Sequence, residues 1–97
     1  MSKGDVVALA ATFRVLGSPA RLRILLCCLD RPQSARNVAL DLDLSRSLVS
    51  QHFRVLRAAR LVTGVRAGKR GSLRLADGHV RTFLEDMLML TSKALPR

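Results

Sequence analysis

Tryptophan and tyrosine are missing from the 97 residues, and the aromatic side chains amount to three phenylalanines. Proteins that hold single strands by base stacking need exposed aromatic platforms, so this scarcity disfavours that mode of binding. Cysteine occurs twice, as the neighbours Cys27 and Cys28, and a disulfide between adjacent residues is strained and rare. Without a Cys-x-x-Cys pair or a Cys/His ladder no zinc finger is expected, and free thiols suit a reducing cytoplasm. No apolar run approaches the roughly 18 residues of a membrane span. The opening segment lacks the charged start, apolar core and cleavage site of a secretory leader. With two histidines, two cysteines and no nucleophile–base–carboxylate pattern or phosphate loop, there is no reaction to write, and no enzyme is expected. Acidic residues are also scarce, 7 against 17 Lys and Arg, for a formal charge of +10.

That charge points to a polyanion partner such as nucleic acid, or to an anionic membrane surface. Apolar residues make up 48%, too many for a disordered basic tail, and the length suits one core, so residues 1–97 are read as a single domain. Punctuation divides it into five helices and one hairpin. Asp5 is placed as the cap of a first helix carrying Val6, Leu9, Ala10, Phe13 and Leu16, with Gly17 as its stop. Ser18-Pro19 starts a second helix with a Leu22/Leu25/Leu26/Leu29 stripe, ended by Asp30-Arg31-Pro32. Ser34 caps a short third helix with Val38, Ala39 and Leu42 inward, and Ser45 caps a fourth running to about Arg60. Val62–Arg66 and Ser72–Leu75 read as strands around a Gly-Lys-Arg-Gly centre. Asp77 caps a last helix with Val80, Phe83, Leu84, Met87 and Leu88 on one face.

Only Asp43-Leu44 separates the third and fourth helices, and a basic hairpin follows. The pattern predicts a mainly α winged helix-turn-helix, with residues 34–60 as the helix-turn-helix and 62–75 as the wing. At about 100° per residue, Val49, His52, Phe53 and Leu56 gather on one side of the fourth helix. Ser47, Ser50, Gln51 and Arg54 gather on the other, with Arg46 and Arg57 at the margin. Gln pairs bidentately with adenine and Arg with guanine, while small serines admit the backbone to base edges. The Ser45 start aims free N–H groups at a phosphate. Arg66, Lys69, Arg70 and Arg74 give the wing the charge to straddle a phosphate ridge or enter a minor groove. Arg14, Arg21, Arg23, Arg31 and Arg36 read equally well as ordinary surface charge.

The segment Phe13-Arg14-Val15-Leu16-Gly17-Ser18-Pro19-Ala20-Arg21-Leu22-Arg23-Ile24-Leu25 resembles the opening of the ArsR/SmtB family of bacterial metal-responsive repressors. Residues 44–56, from Leu44-Ser45-Arg46-Ser47 through Gln51-His52-Phe53-Arg54 to Leu56, resemble that family's DNA-reading helix. Arg57–Val62, Gly68-Lys69-Arg70 and Arg74–Asp77 match its entry to and exit from the wing, so that the likeness runs from about residue 9 to 88. The resemblance implies a cytoplasmic homodimer, joined through the first and last helices, that binds double-stranded operator DNA of dyad symmetry and associates with the nucleoid when bound. The expected seam is Val6, Leu9, Phe13, Val80, Phe83, Leu84 and Met87. It also implies release of DNA on binding an effector, often a metal ion.

The effector sites depart from the family pattern. Where one metal site has Cys-x-Cys at the start of the third helix, this chain has Ser34 and Arg36. Another uses Asp-x-His early in the last helix with two further ligands. Asp77 and His79 match its first half, but Leu90 and Lys93 stand in the second. The expectation is at most weak binding of nickel, cobalt or zinc at Asp77/His79. Cys27 and Cys28 read more readily as small core fillers than as a thiol switch, and His52 as a buried, hydrogen-bonded imidazole. Two other functions stay open on the residues alone: a winged-helix module that binds a protein, and a thiol- or redox-responsive regulator using Cys27 and Cys28.

Overall fold

The computed structural model describes residues 1–65 and 71–94. Five helices and a two-stranded hairpin follow in the order α1 (Lys3–Leu16), α2 (Pro19–Cys27), α3 (Ala35–Leu42), α4 (Arg46–Ala58), β1 (Val62–Gly64), β2 (Leu73–Leu75) and α5 (Gly78–Ala94). Each start has a side-chain oxygen on orphan N–H groups. Ser18, Ser34 and Ser45 accept from Arg21, Asn37 and Leu48, and Asp77 Oδ1 accepts from the N–H groups of His79 and Val80 at 2.8 and 3.2 Å. The first cap differs from the sequence expectation. Ser2 is the N-cap, and Asp5 closes a capping box by accepting from the Ser2 N–H. Asp5 fits the third helical position as well as a cap, which is why spacing alone misplaced it. The Ser2 backbone N–H, and after it the Ser2 hydroxyl, hold the Asp5 carboxyl below the usual range.

Two left-handed residues shape the chain on either side of α4. Asp43 (φ 56°) ends α3, and the Leu44 N–H reaches back to the Ala39 carbonyl, turning the chain directly into α4. Arg60 (φ 61°) does the same after α4: its own N–H bonds the Arg57 carbonyl and that of Leu61 bonds Leu56. This closure is usually made by glycine. An L side chain there costs on the order of 1 kcal/mol.

The core unites every element: Leu16 from α1, Ile24, Leu25 and Cys28 around α2, Val38 and Ala39 from α3, Val49, Phe53 and Leu56 from α4, then Val62, Leu73, Leu75 and Leu84. The inward face of α2 centres on Ile24, Leu25 and Cys28, with Leu22 and Leu29 of the expected stripe partly buried beside them. β1 pairs antiparallel with β2 in the register Val62–Leu75, Thr63–Arg74, Gly64–Leu73. Both strands are shorter than the sequence suggested. Gln33 adds an unforeseen third contact, exchanging two 2.8 Å backbone hydrogen bonds with Leu73 while its side-chain amide donates to the Cys27 carbonyl.

Candidate nucleic-acid interface

Burying Val49, Phe53 and Leu56 leaves Arg46, Ser47, Ser50, Gln51, Arg54 and Arg57 exposed along α4. Helical geometry alone produces this division, since the two sets sit on opposite sides of one axis. Ser50, Arg54 and Arg57 face the hairpin across a cleft of about 380 Å³, with Phe53 beneath and Gly64, Val65, Gly71 and Ser72 opposite. Arg46 and Ser50 form the wall of a second cleft, of about 530 Å³, whose far side is Ser34, Arg36 and Asn37 of the α3 start. Ser50, Phe53 and Gly71 belong to both clefts, so the two make one trough. Ser47 and Gln51 stand exposed outside it. No carboxylate lines the trough among the described residues.

Arg36, read from the sequence as ordinary surface charge, and Asn37, which the sequence did not single out, are additions. The available signal was their place in the first turn of α3, opposite the Val38/Ala39 stripe. Other cations are occupied elsewhere. Arg21 Nε donates to the Val15 carbonyl at 2.8 Å and Arg23 Nη2 to the Leu42 carbonyl at 3.5 Å, bracing the ends of α1 and α3. Arg81 pairs with Asp30 and Glu85 at 3.3 and 3.5 Å. Arg66, Lys69 and Arg70, expected at the wing tip, lie outside the described residues. Arg74 faces outward opposite Thr63.

His52 is half-buried on the core side of α4, where burial and then the nearby Arg21 cation lower its pKa. It is a neutral imidazole at neutral pH, and among the described residues it forms no side-chain hydrogen bond, contrary to expectation. Cys28 lies in the core, and burial, with a smaller contribution from Cys27, raises its pKa to about 11. Cys27 is raised too, by burial first and then by Asp41, against an opposing effect of Arg23. Both thiols are protonated at neutral pH, the unreactive form.

The expected seam is split by the structure. Val6, Leu9 and Phe13 on α1 are about half exposed, and so are Met87 and Leu88 on α5 to a slightly lesser degree. Val80 and Phe83 are half-buried, with the rings of Phe13 and Phe83 meeting edge-on at 6.2 Å. Leu84 is a correction: at 4% exposure it fills this chain's own core and has no surface to offer a partner. Between α1 and α5 runs an apolar cleft of about 220 Å³ with His79 at its edge. Oδ1 of Asp77 already caps α5, and no group of three or more His, Cys, Asp or Glu is placed to hold a metal among the described residues. The described residues thus do not fit a tight metal centre.

Comparison with known proteins agrees with this geometry. The bacterial regulatory protein, arsR family, sequence pattern matches residues 18–63. The chain is 36% identical to the transcriptional repressor SmtB of Mycobacterium tuberculosis over 75% of its own length and 54% of that protein. It therefore spans about half the length of that relative. To the transcriptional regulator CmtR of the same organism it is 36% identical, over 86% of this chain and 70% of CmtR. The solution structure of CmtR, a cadmium sensor, superposes with a TM-score of 0.72 at 34% identity, covering 84% of this chain and 85% of that one. A homodimeric winged helix-turn-helix DNA-binding domain from Mycobacterium bovis shares the fold, with a TM-score of 0.89 at 19% identity over 99% and 92% of the two chains.

Proposed function

The chain belongs to the ArsR/SmtB family of bacterial regulatory proteins, and from that premise we propose that it is a dimeric, sequence-specific DNA-binding repressor of the cytoplasm. The observation that carries this reading is the carboxylate-free trough along α4, with Arg46, Ser50, Arg54 and Arg57 on its wall and Gln51 on the crest. These side chains offer the donors and acceptors that base edges and phosphates require. A protein partner would be served as well by an apolar or mixed-charge surface, and this trough is neither.

Dimerisation is supported by the apolar side chains that one chain leaves uncovered on α1 and α5. Val6, Leu9 and Phe13 together with Met87 and Leu88 are each 39% exposed or more, and apolar side chains left open in this way on neighbouring helices are normally covered by another surface. A two-fold axis through this seam would set two α4 helices into successive major grooves, so the operator would be an inverted repeat. Selection of bound sequences from random duplex tests the reading. An inverted repeat with half-site centres about 10–10.5 bp apart is expected, and asymmetric or unselective recovery would overturn it. The thiol alternative is disfavoured by two protonated cysteines, of which Cys28 is buried in the core.

A further inference from the structure

Behind the reading trough, on the outward face of the hairpin, lies a second cationic cleft of about 440 Å³ lined by Arg57, Arg60, Thr63 and Arg74, with Val62 and Ala76 beneath. Thr63 and Arg74 are cross-strand partners, so the strand pairing fixes their side chains next to each other on the face turned away from the core. Among the described residues no carboxylate pairs with any of the three arginines. Arg74 also borders a neighbouring hollow containing Asp30 and Asp77, yet makes an ion pair with neither. Like charges gathered without an ion-paired carboxylate repel one another, and that repulsion is relieved by an anion. Arg60 adds a second, independent sign. It occupies a left-handed position (φ 61°) that glycine fills without strain, so a guanidinium stands here at a cost to the fold.

We propose that this cleft binds the phosphodiester backbone of duplex flanking the operator core. Planar guanidinium groups beside a threonine hydroxyl match the oxygens of a phosphate. Duplex, rather than a free phosphate compound, is the source that continuity favours, because Arg57 lines both this cleft and the reading trough. The proposal rests on the DNA-binding reading above and extends its footprint beyond the base-reading helix.

The test uses the full chain and the repeat recovered by selection from random duplex. One probe ends at the recovered repeat, and the other carries about one further helical turn, 10 bp, on each side. The wild-type chain should bind the longer probe more tightly and with a steeper salt dependence. Arg74→Ala and Arg60→Gly should each lose that advantage, making the slope shallower by about two, one per protomer of the dimer, on the longer probe only. Arg60→Gly should meanwhile raise or preserve the melting temperature, which separates the effect from misfolding. Equal wild-type affinity for both probes would overturn the proposal alone, whereas failure to bind either would overturn the DNA-binding reading itself. Losses of equal size on both probes would also overturn it, by moving the arginines to the operator core. Titration with tripolyphosphate distinguishes the source: saturable binding lost in Arg74→Ala, with no advantage for the longer duplex, would assign the cleft to a soluble anion.

Discussion

A methyl group on Gly64 would stand 3.3 Å from Nη2 of Arg57. The space that glycine leaves open on β1 is thus the space through which the Arg57 guanidinium passes. This is a close approach to the far end of a flexible side chain, so Gly64→Ala should fold normally and displace Arg57. Its DNA affinity should fall, by less than in Arg57→Ala. The double variant should bind no worse than Arg57→Ala alone, since both changes remove one interaction. Additive losses in a binding titration would show that Gly64 acts by another route.

The α4 surface and the wing should differ in kind. Gln51→Ala or Arg46→Ala should relax base preference, at about 1–3 kcal/mol for each bidentate pair lost. Lys69→Ala or Arg70→Ala should weaken binding to all sequences alike and flatten the salt dependence, because these charges displace counterions. Affinities on the selected repeat and on scrambled duplex, each at several salt concentrations, check both statements.

Substitution of the helical seam by aspartate should separate folding from assembly. Leu9→Asp or Met87→Asp puts a carboxylate on a face exposed in the single chain, so sedimentation should give a folded monomer with poor operator affinity. Leu84→Asp instead buries an unpaired charge in the core, and circular dichroism should show loss of structure. A folded, dimeric Leu9→Asp and Met87→Asp pair would move the interface elsewhere.

Cys28 makes stability depend on alkaline pH. Its pKa is raised from 9.0 to about 11, so the folded state holds the thiol proton that the unfolded chain gives up. The stabilisation is complete below pH 9 and is lost as pH rises toward 11, up to roughly 2–3 kcal/mol over that window. Urea melts should show this decline in the wild-type chain and a smaller one in Cys28→Ala.

Metal binding should be weak. We expect nickel, cobalt or zinc to bind at Asp77 and His79 no more tightly than micromolar, because Asp77 Oδ1 accepts two helix N–H groups and no third ligand stands nearby among the described residues. Calorimetry on His79→Ala should show that binding abolished, with a modest change in operator affinity. A nanomolar site surviving the substitution would place the sensor elsewhere.

The caps at Ser18, Ser34, Ser45 and Asp77, and the polar face of α4, were legible because each rests on short-range rules of spacing. Leu84 was misassigned for the same reason. Periodicity says that a side chain is on the apolar face of α5, but not whether its cover comes from this chain or another. That Arg36 and Asn37 share a cleft with α4, and that Gln33 bridges to Leu73, was illegible because each depends on residues 9 to 40 positions apart in sequence meeting in space. The Arg57–Gly64 relationship left only a lone glycine as its trace.

Gln33 ties the root of the wing to the segment entering α3, through its backbone to Leu73 and its side chain to Cys27. These bonds brace the described strands of the wing against the helix-turn-helix as a single blade. An effector acting at the α1/α5 seam of a dimer would leave each blade unchanged and alter the spacing and angle between the two. The quantity such a signal modulates is thus the pitch match between protein and double helix: an operator with one base pair added at its centre should respond to the effector differently from the natural one, even though every half-site contact is retained.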